Sequence, residues 1–282
     1  MTHRLQIFCA MLSGICMSVF ADSVQWGNKG EDTVKVDMIL SSLRRLECPT
    51  TTDAAKFFIG KPYVASTLEG DTEVLRIRLD AFDCTTFVET CIALAAAYEI
   101  LKPGWTDFTE TLTRLRYRDG IIDGYPSRLH YISDWIENAE EQDLLCEVTS
   151  DLPKSSVVVK DLNFMSRHPQ AYSALRNSPE NVMAIKRIEG KFRGYKMPYI
   201  PAKMVNGELL DMLMEGDIVA FTTDIPGLDV SHIGLITMVG DIPHLLHASS
   251  TKKQIVLSPG SLAEYLGSNK RFTGIRIFRA CQ

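Results

Sequence analysis

The 282-residue chain has no excess of basic charge, since 30 Lys+Arg stand against 35 Asp+Glu for a net charge of −5. Gripping a phosphate backbone needs a dense cationic face, so nucleic-acid partners are set aside. The chain also lacks internal repeats, low-complexity tracts and Gly/Ser linkers, which excludes solenoids and linker-joined arrays. Neither HExxH nor CxxC occurs, and zinc would have to be assembled from scattered residues; no metal and no other cofactor is expected. With no GxSxG present, a serine nucleophile on a strand-to-helix elbow is also excluded. What is present, 45% hydrophobic and 23% charged residues, suits a globular core of ordinary size.

The one long apolar stretch lies at the N-terminus. Residues 1–21 carry Arg4, an apolar run from Leu5 to Phe20, and Val19 and Ala21 at the −3 and −1 positions of a cut before Asp22. This pattern predicts a secretory signal peptide rather than an anchor, because Ser13 and Gly14 break a run already too short to span a bilayer. Ile15 before Cys16 is a poor lipidation site. The expected product is an exported, periplasmic protein of residues 22–282, one catalytic domain without membrane insertion. Of seven cysteines, cleavage leaves Cys48, Cys84, Cys91, Cys146 and Cys281. Five is odd, so one thiol stays unpaired in an oxidising compartment, either inert in the core or kept for its reactivity.

Periodicity predicts helices over Val34–Leu46, Ala54–Ile59 (capped by Asp53), Cys84 to about Ile100, Phe108–Arg116 and Tyr131–Asn138. After Gly216 the pattern changes to short β runs at Asp217–Phe221, His232–Val239, His244–Ala248, Gln254–Leu257 and Gly274–Phe278. Helices first and strands later predict an α+β fold with an antiparallel sheet. The segment 151–204 carries no assignable motif and is expected to wall the cleft.

Cys84 stands in DAFDCTTFVETC, where Asp83 is a good N-cap and the thiol would occupy the first helical turn. Backbone amides and the helix dipole there favour a thiolate. Cys91, two turns on, falls in the apolar stripe and is expected in the core. A base is offered by His232, on a β run where Gly234 shares its face and leaves room for substrate or for the Cys84 helix. A third group should orient the imidazole, and His244 and His247 compete for that place; three residues apart on a strand, they point to opposite faces and only one can join.

Taken together, GKPYVASTLEG, FDCTTFVE, DVSHIGLI and LLHASS resemble the ordered motifs of the NlpC/P60 papain-like cell-wall hydrolases. DCTTFVE in place of the common DCSGFV, with YPSRLHYISDW and the tail GIRIFR, resembles one branch, the DUF1460 family, described as N-acetylmuramoyl-L-alanine amidase-like. The resemblance implies a nucleophile helix packed on an antiparallel sheet, with Cys84 as nucleophile, His232 as base and His247 as the orienting third member. It further implies that Tyr63 lies beside the nucleophile and helps bind the oxyanion, and that Asp229 and Ser231 shape the base's surroundings. A peptidoglycan or muropeptide substrate carries carboxylates, for which Arg128 and His130 are the expected partners, with Tyr125, Tyr131 and Trp135 as a sugar platform or as plain packing. Two alternatives stay open: a γ-D-glutamyl-diamino acid endopeptidase of the same fold, and a non-catalytic binder of wall fragments.

Overall fold

The computed structural model of the protein describes residues 24–98 and 100–281. The expected signal peptide, with Cys9 and Cys16, lies outside the described residues. In chain order the principal helices are α1 (Lys29–Leu43), α2 (Thr51–Ala55), α3 (Cys84–Ala97), α4 (Trp105–Arg116), α5 (Ile132–Glu141), α6 (Pro179–Lys191) and α7 (Leu262–Ser268). The strands are β1 (Val24–Trp26), β2 (Leu75–Ile77), β3 (Leu145–Glu147), β4 (Ser156–Lys160), β5 (Tyr195–Pro201), β6 (Ile218–Thr223), β7 (Val230–Val239), β8 (Ile242–Ser249), β9 (Gln254–Ser261) and β10 (Phe272–Ala280).

The main sheet runs β4-β5-β10-β6-β7-β8-β9 with β3 paired to β10, and every pairing in it is antiparallel. The protein is therefore a mixed α and β structure with an antiparallel sheet and several helices. β1 and β2 form a separate parallel pair. All five expected β runs became strands, each longer than its apolar stretch because ladder hydrogen bonds extend past the last buried side chain.

Local chemistry explains where helices start. Asp83 caps α3: its Oδ1 accepts from the Thr86 N–H at 2.8 Å while Thr86 Oγ1 accepts from the Asp83 N–H at 3.0 Å. This reciprocal pair fixes Cys84 as the first helical residue. For α2 the expected cap is displaced. Thr50 is the N-cap and Asp53 sits three residues inside, its carboxylate accepting from the Thr50 N–H at 2.9 Å. Helix α1 starts earlier than its apolar stripe, at an Asn28 cap, and ends at Leu43, leaving Leu46 exposed.

Two layers meet over α3. Phe87, Cys91 and Leu94 of α3 are fully buried with Phe58 and Phe82 and with Leu235 and Leu246 of β7 and β8. Burying one such side chain contributes roughly 1.5–3 kcal/mol, so this core holds α3 against the strands that carry the histidines. On the other sheet face, Phe221, Ile236, Leu245 and Ile275 pack with Leu262 and Leu266 of α7. The segment 151–204 builds β4, α6 and β5 and packs a third cluster around Tyr125, Tyr131 and Phe192. Lys160 there donates to the carbonyls of Thr223 and Leu228 (2.7 Å to the latter), buttressing the loop that leads into β7. Cys146 of β3 and Cys281 form a disulfide that closes the end of β10, with Cα atoms 5.7 Å apart.

Candidate active site

Three cavities lie end to end across α3, β7, β8 and α7. The first, about 130 Å³, is bounded by Cys84, His130, Trp135, Ser231 and His232. Ser231 and His232 also bound the second, about 250 Å³, which reaches His247, Tyr265 and Arg271. His247 and Tyr265 continue into the third, about 630 Å³, with Lys252 on its rim. The result is a cleft with a small inner end at Cys84 and a wide outer end.

Cys84 is half-buried, whereas Cys91 is wholly buried and Cys48 exposed. Its thiol does not follow the expectation drawn from its helix position. Burial pushes it up to about 11, and the neighbouring Asp83 carboxylate adds to that; hydrogen bonds from the Ile233 backbone and from Thr85 act in the opposite direction but do not win. The helix terminus therefore offers its amides to whatever charge develops during reaction rather than holding a standing thiolate.

His232 extends from β7 with its ring stacked on Phe221, centroids 5.7 Å apart. Its Nε2 lies 2.7 Å from Nδ1 of His247 on β8. His244, on the other face of β8, has its Nδ1 3.2 Å from the Ser258 carbonyl. Gly234 makes the histidine pair possible, though not by leaving room for substrate: a Cβ there would meet His247 Cβ at 3.0 Å and Leu245 Cδ1 at 2.6 Å. Burial holds His232 down to about 3, with repulsion from His247 adding to it, and holds His247 down to about 4. Both rings are neutral near pH 7. One N–H then sits between them, and if His232 donates it, His232 Nδ1 is left bare to accept a proton.

Two phenols flank the thiol. Tyr63 is half-buried beside Phe82, and burial with the nearby Cys84 and Asp83 pushes its hydroxyl up. Tyr265, from α7, stands edge-on to His247 at 5.0 Å and is pushed up to about 12 by burial and by Cys84. Sequence reasoning missed Tyr265 because it lies in a helix with no motif, 18 residues beyond the His247 ring it packs against.

Four of the expected binding residues are elsewhere. Arg128 is 4% exposed, and its guanidinium is spent on Glu69 at 2.8 Å and Glu73 at 3.5 Å, with the Tyr125 ring 4.9 Å below. A cation so neutralised has little to give a substrate carboxylate. Tyr125 is itself buried, stacked on His130 at 4.5 Å, and Tyr131 is buried too, so neither is a sugar platform. Asp229, 1% exposed, accepts from the Ser133 N–H at 2.7 Å and the Val230 N–H at 2.8 Å, which makes it a cap for the start of α5. Cations that do bound the cleft are the exposed Arg271 and Lys252. Segment 151–204 contributes no residue to the three cavities; it braces the β7 loop instead. Among the described residues no group of His, Cys, Asp or Glu is arranged to hold a metal ion.

A family model described as AmiA-like, N-acetylmuramoyl-L-alanine amidase-like, matches residues 53–275. The chain belongs to the AmiA-like family. Among solved structures, an N-acetylmuramoyl-L-alanine amidase from Bacteroides uniformis is 40% identical, with a TM-score of 0.78 over 83% of this chain and 99% of that one. A Bacteroides fragilis protein carrying the provisional name xylanase is 44% identical, with a TM-score of 0.75 over 80% and 98%. A Legionella pneumophila protein of the DUF1460 family, 21% identical, shares the fold with a TM-score of 0.70 over 90% and 96%. No curated protein matches the chain. Membership of the AmiA-like family, DUF1460, meets the narrower of the two resemblances seen in the sequence. Among the described residues no helix of this AmiA-like chain is long and apolar enough to cross a membrane.

Proposed function

We propose that the protein is an exported cysteine amidase that hydrolyses the bond between N-acetylmuramic acid and L-alanine in peptidoglycan or its soluble fragments, with Cys84, His232 and His247 as its working residues. The observation that carries this reading is the 2.7 Å contact between His232 Nε2 and His247 Nδ1 at a cavity that His232 shares with Cys84. A nucleophile, a base and a group orienting the base are then in series, on the papain-like plan that a nucleophile helix packed on an antiparallel sheet supports.

In this mechanism His232 Nδ1 takes the Cys84 proton as Sγ attacks the lactyl carbonyl carbon. Because thiol and imidazole both start neutral, transfer accompanies attack. The developing oxyanion meets the Cys84 N–H, which as the first helical residue has no intrahelical acceptor, and the Tyr63 hydroxyl. His247 Nδ1 accepts the hydrogen bond of the imidazolium that forms. Collapse breaks the C–N bond, and the proton on His232 passes to the amine of L-alanine. Water, deprotonated by His232, then cleaves the thioester and restores the thiol. Arg271 and Lys252, on the wide end of the cleft, suit the stem-peptide carboxylates. The Cys146–Cys281 disulfide supports an oxidising, extracytoplasmic site of action.

Glycoside hydrolysis, the activity in the B. fragilis protein's name, requires two carboxyl groups roughly 5–10 Å apart. No Asp or Glu bounds any of the three cavities. The test is mass analysis of muropeptides after incubation. The amidase reading expects free stem peptide beginning at L-alanine, lost on Cys84→Ala. Peptide cut after D-glutamate would replace it with the endopeptidase reading, and tight binding with no turnover would replace it with the binder.

A further inference from the structure

The inner cavity holds an unexplained donor. Trp135 of α5 forms part of its wall, is 1% exposed, and has an indole N–H without a hydrogen-bond partner. A buried donor left unmade is costly, and native structures keep few of them unless a ligand or water completes them. His130 bounds the same cavity. Its Nε2 lies 3.1 Å from the Tyr125 carbonyl, which can only accept, so Nε2 carries the proton and Nδ1 is a lone-pair acceptor. Burial and the nearby Arg128 hold this ring in its neutral form. Leu129, Ile132, Val230 and Ile233 give the cavity its aliphatic lining, and Thr85 and Ser231 add hydroxyls.

The unpartnered Trp135 N–H, the bare Nδ1 of His130 and the aliphatic lining beside Cys84 match the three faces of a small secondary amide. Its carbonyl accepts from Trp135, its N–H donates to His130, and its methyl meets the aliphatic wall. A volume of about 130 Å³ suits a terminal amide; a peptide amide, continued on both sides, would have to leave the cavity again. We propose that this cavity is the subsite for the acetamido group of the muramoyl sugar, with Trp135 and His130 as its specificity-determining residues. The inference rests on the amidase reading for its choice of sugar and deepens it by assigning the orphaned indole N–H.

Binding and turnover are measured separately so that the two can fail separately. With Cys84→Ala protein, calorimetry compares an N-acetylmuramoyl peptide with the same molecule bearing a free 2-amino group. The expected result is a preference of about tenfold or more for the acetylated ligand, the scale of one or two neutral hydrogen bonds. Trp135→Phe, which keeps an aromatic ring and removes the N–H, should reduce that preference several-fold, and His130→Leu, which removes the acceptor, should do the same. Melting curves identify any variant that has simply lost its fold; the other variant then carries the test. Equal affinity for the two ligands, or a preference unmoved by both variants, overturns the subsite, including the case of a cavity filled only by water. A stem-amide occupant would appear as variants that weaken both ligands equally, which also overturns it. Absence of turnover by the wild-type protein, with the binding preference intact, would count against the amidase reading alone.

Discussion

Helix α3 is held by a buried ion pair whose removal has a calculable effect. Glu89, five residues beyond Cys84, and Arg116 at the end of α4 are each 2% exposed and 2.8 Å apart, and Arg116 also donates to the Arg76 carbonyl of β2 at 2.7 Å. Burial pushes the Glu89 carboxyl up while Arg116 pulls it back toward the charged form. Glu89→Gln keeps the shape and leaves a buried guanidinium uncompensated, which costs about 3–5 kcal/mol, the same order as the roughly 6 kcal/mol that two unit charges 2.8 Å apart exchange in an effective dielectric of about 20. Replacing both, as Glu89→Leu with Arg116→Met, removes the charge together with its partner. What remains is chiefly the unpaired Arg76 carbonyl, about 1 kcal/mol. In urea unfolding with a slope of about 3 kcal/mol/M, the single change should lower the midpoint by about 1–1.7 M and the double change by less than about 0.5 M. A single variant shifted by less than about 0.3 M, or a double variant as unstable as the single, would refute the reasoning.

Three further outcomes are expected. Since burial lowers His232 and the proposed mechanism uses the neutral ring as base, the acid limb of kcat/KM should fall well below the ordinary histidine value of 6.5; a half-maximal rate at or above pH 6.5 contradicts this. Cys146→Ser with Cys281→Ser opens a closure spanning 135 residues, for which chain entropy gives a loss of up to about 5 kcal/mol; calorimetry should show a lower Tm with muropeptide cleavage retained below it. Arg271→Ala should raise KM several-fold for substrates with a free stem carboxylate and leave kcat within about twofold, as expected for uniform binding; an unchanged KM would remove Arg271 from the cleft's working surface.

The contrast between what sequence reading reached and what it missed follows interaction range. Asp83, Thr86 and Cys84 are neighbours, so the cap and the helix start could be read directly. The period of a strand allowed only one of His244 and His247 to face His232, and the structure brings His247 there. Arg128 read as a free cation because its neutralising partners, Glu69 and Glu73, lie more than 50 residues upstream. Asp229 looked like part of the base's surroundings because the amide it caps, Ser133, is 96 residues away. The thiol's upward shift was illegible for another reason: helix position is local and favours the anion, but burial is a property of the whole packed site and outweighs it. The Cys146–Cys281 pair, 135 residues apart, has no local signature at all.

In the proposed mechanism Cys84 carries the muramoyl group during turnover. Acid quenching of the enzyme with excess muropeptide, followed by mass analysis of the peptide containing Cys84, reads that group directly. The expected result is an adduct equal in mass to the muramoyl acyl group, absent in Cys84→Ala and lost when hydroxylamine cleaves the thioester. An adduct that includes L-alanine and D-glutamate, or turnover undiminished by Cys84→Ala, would contradict it.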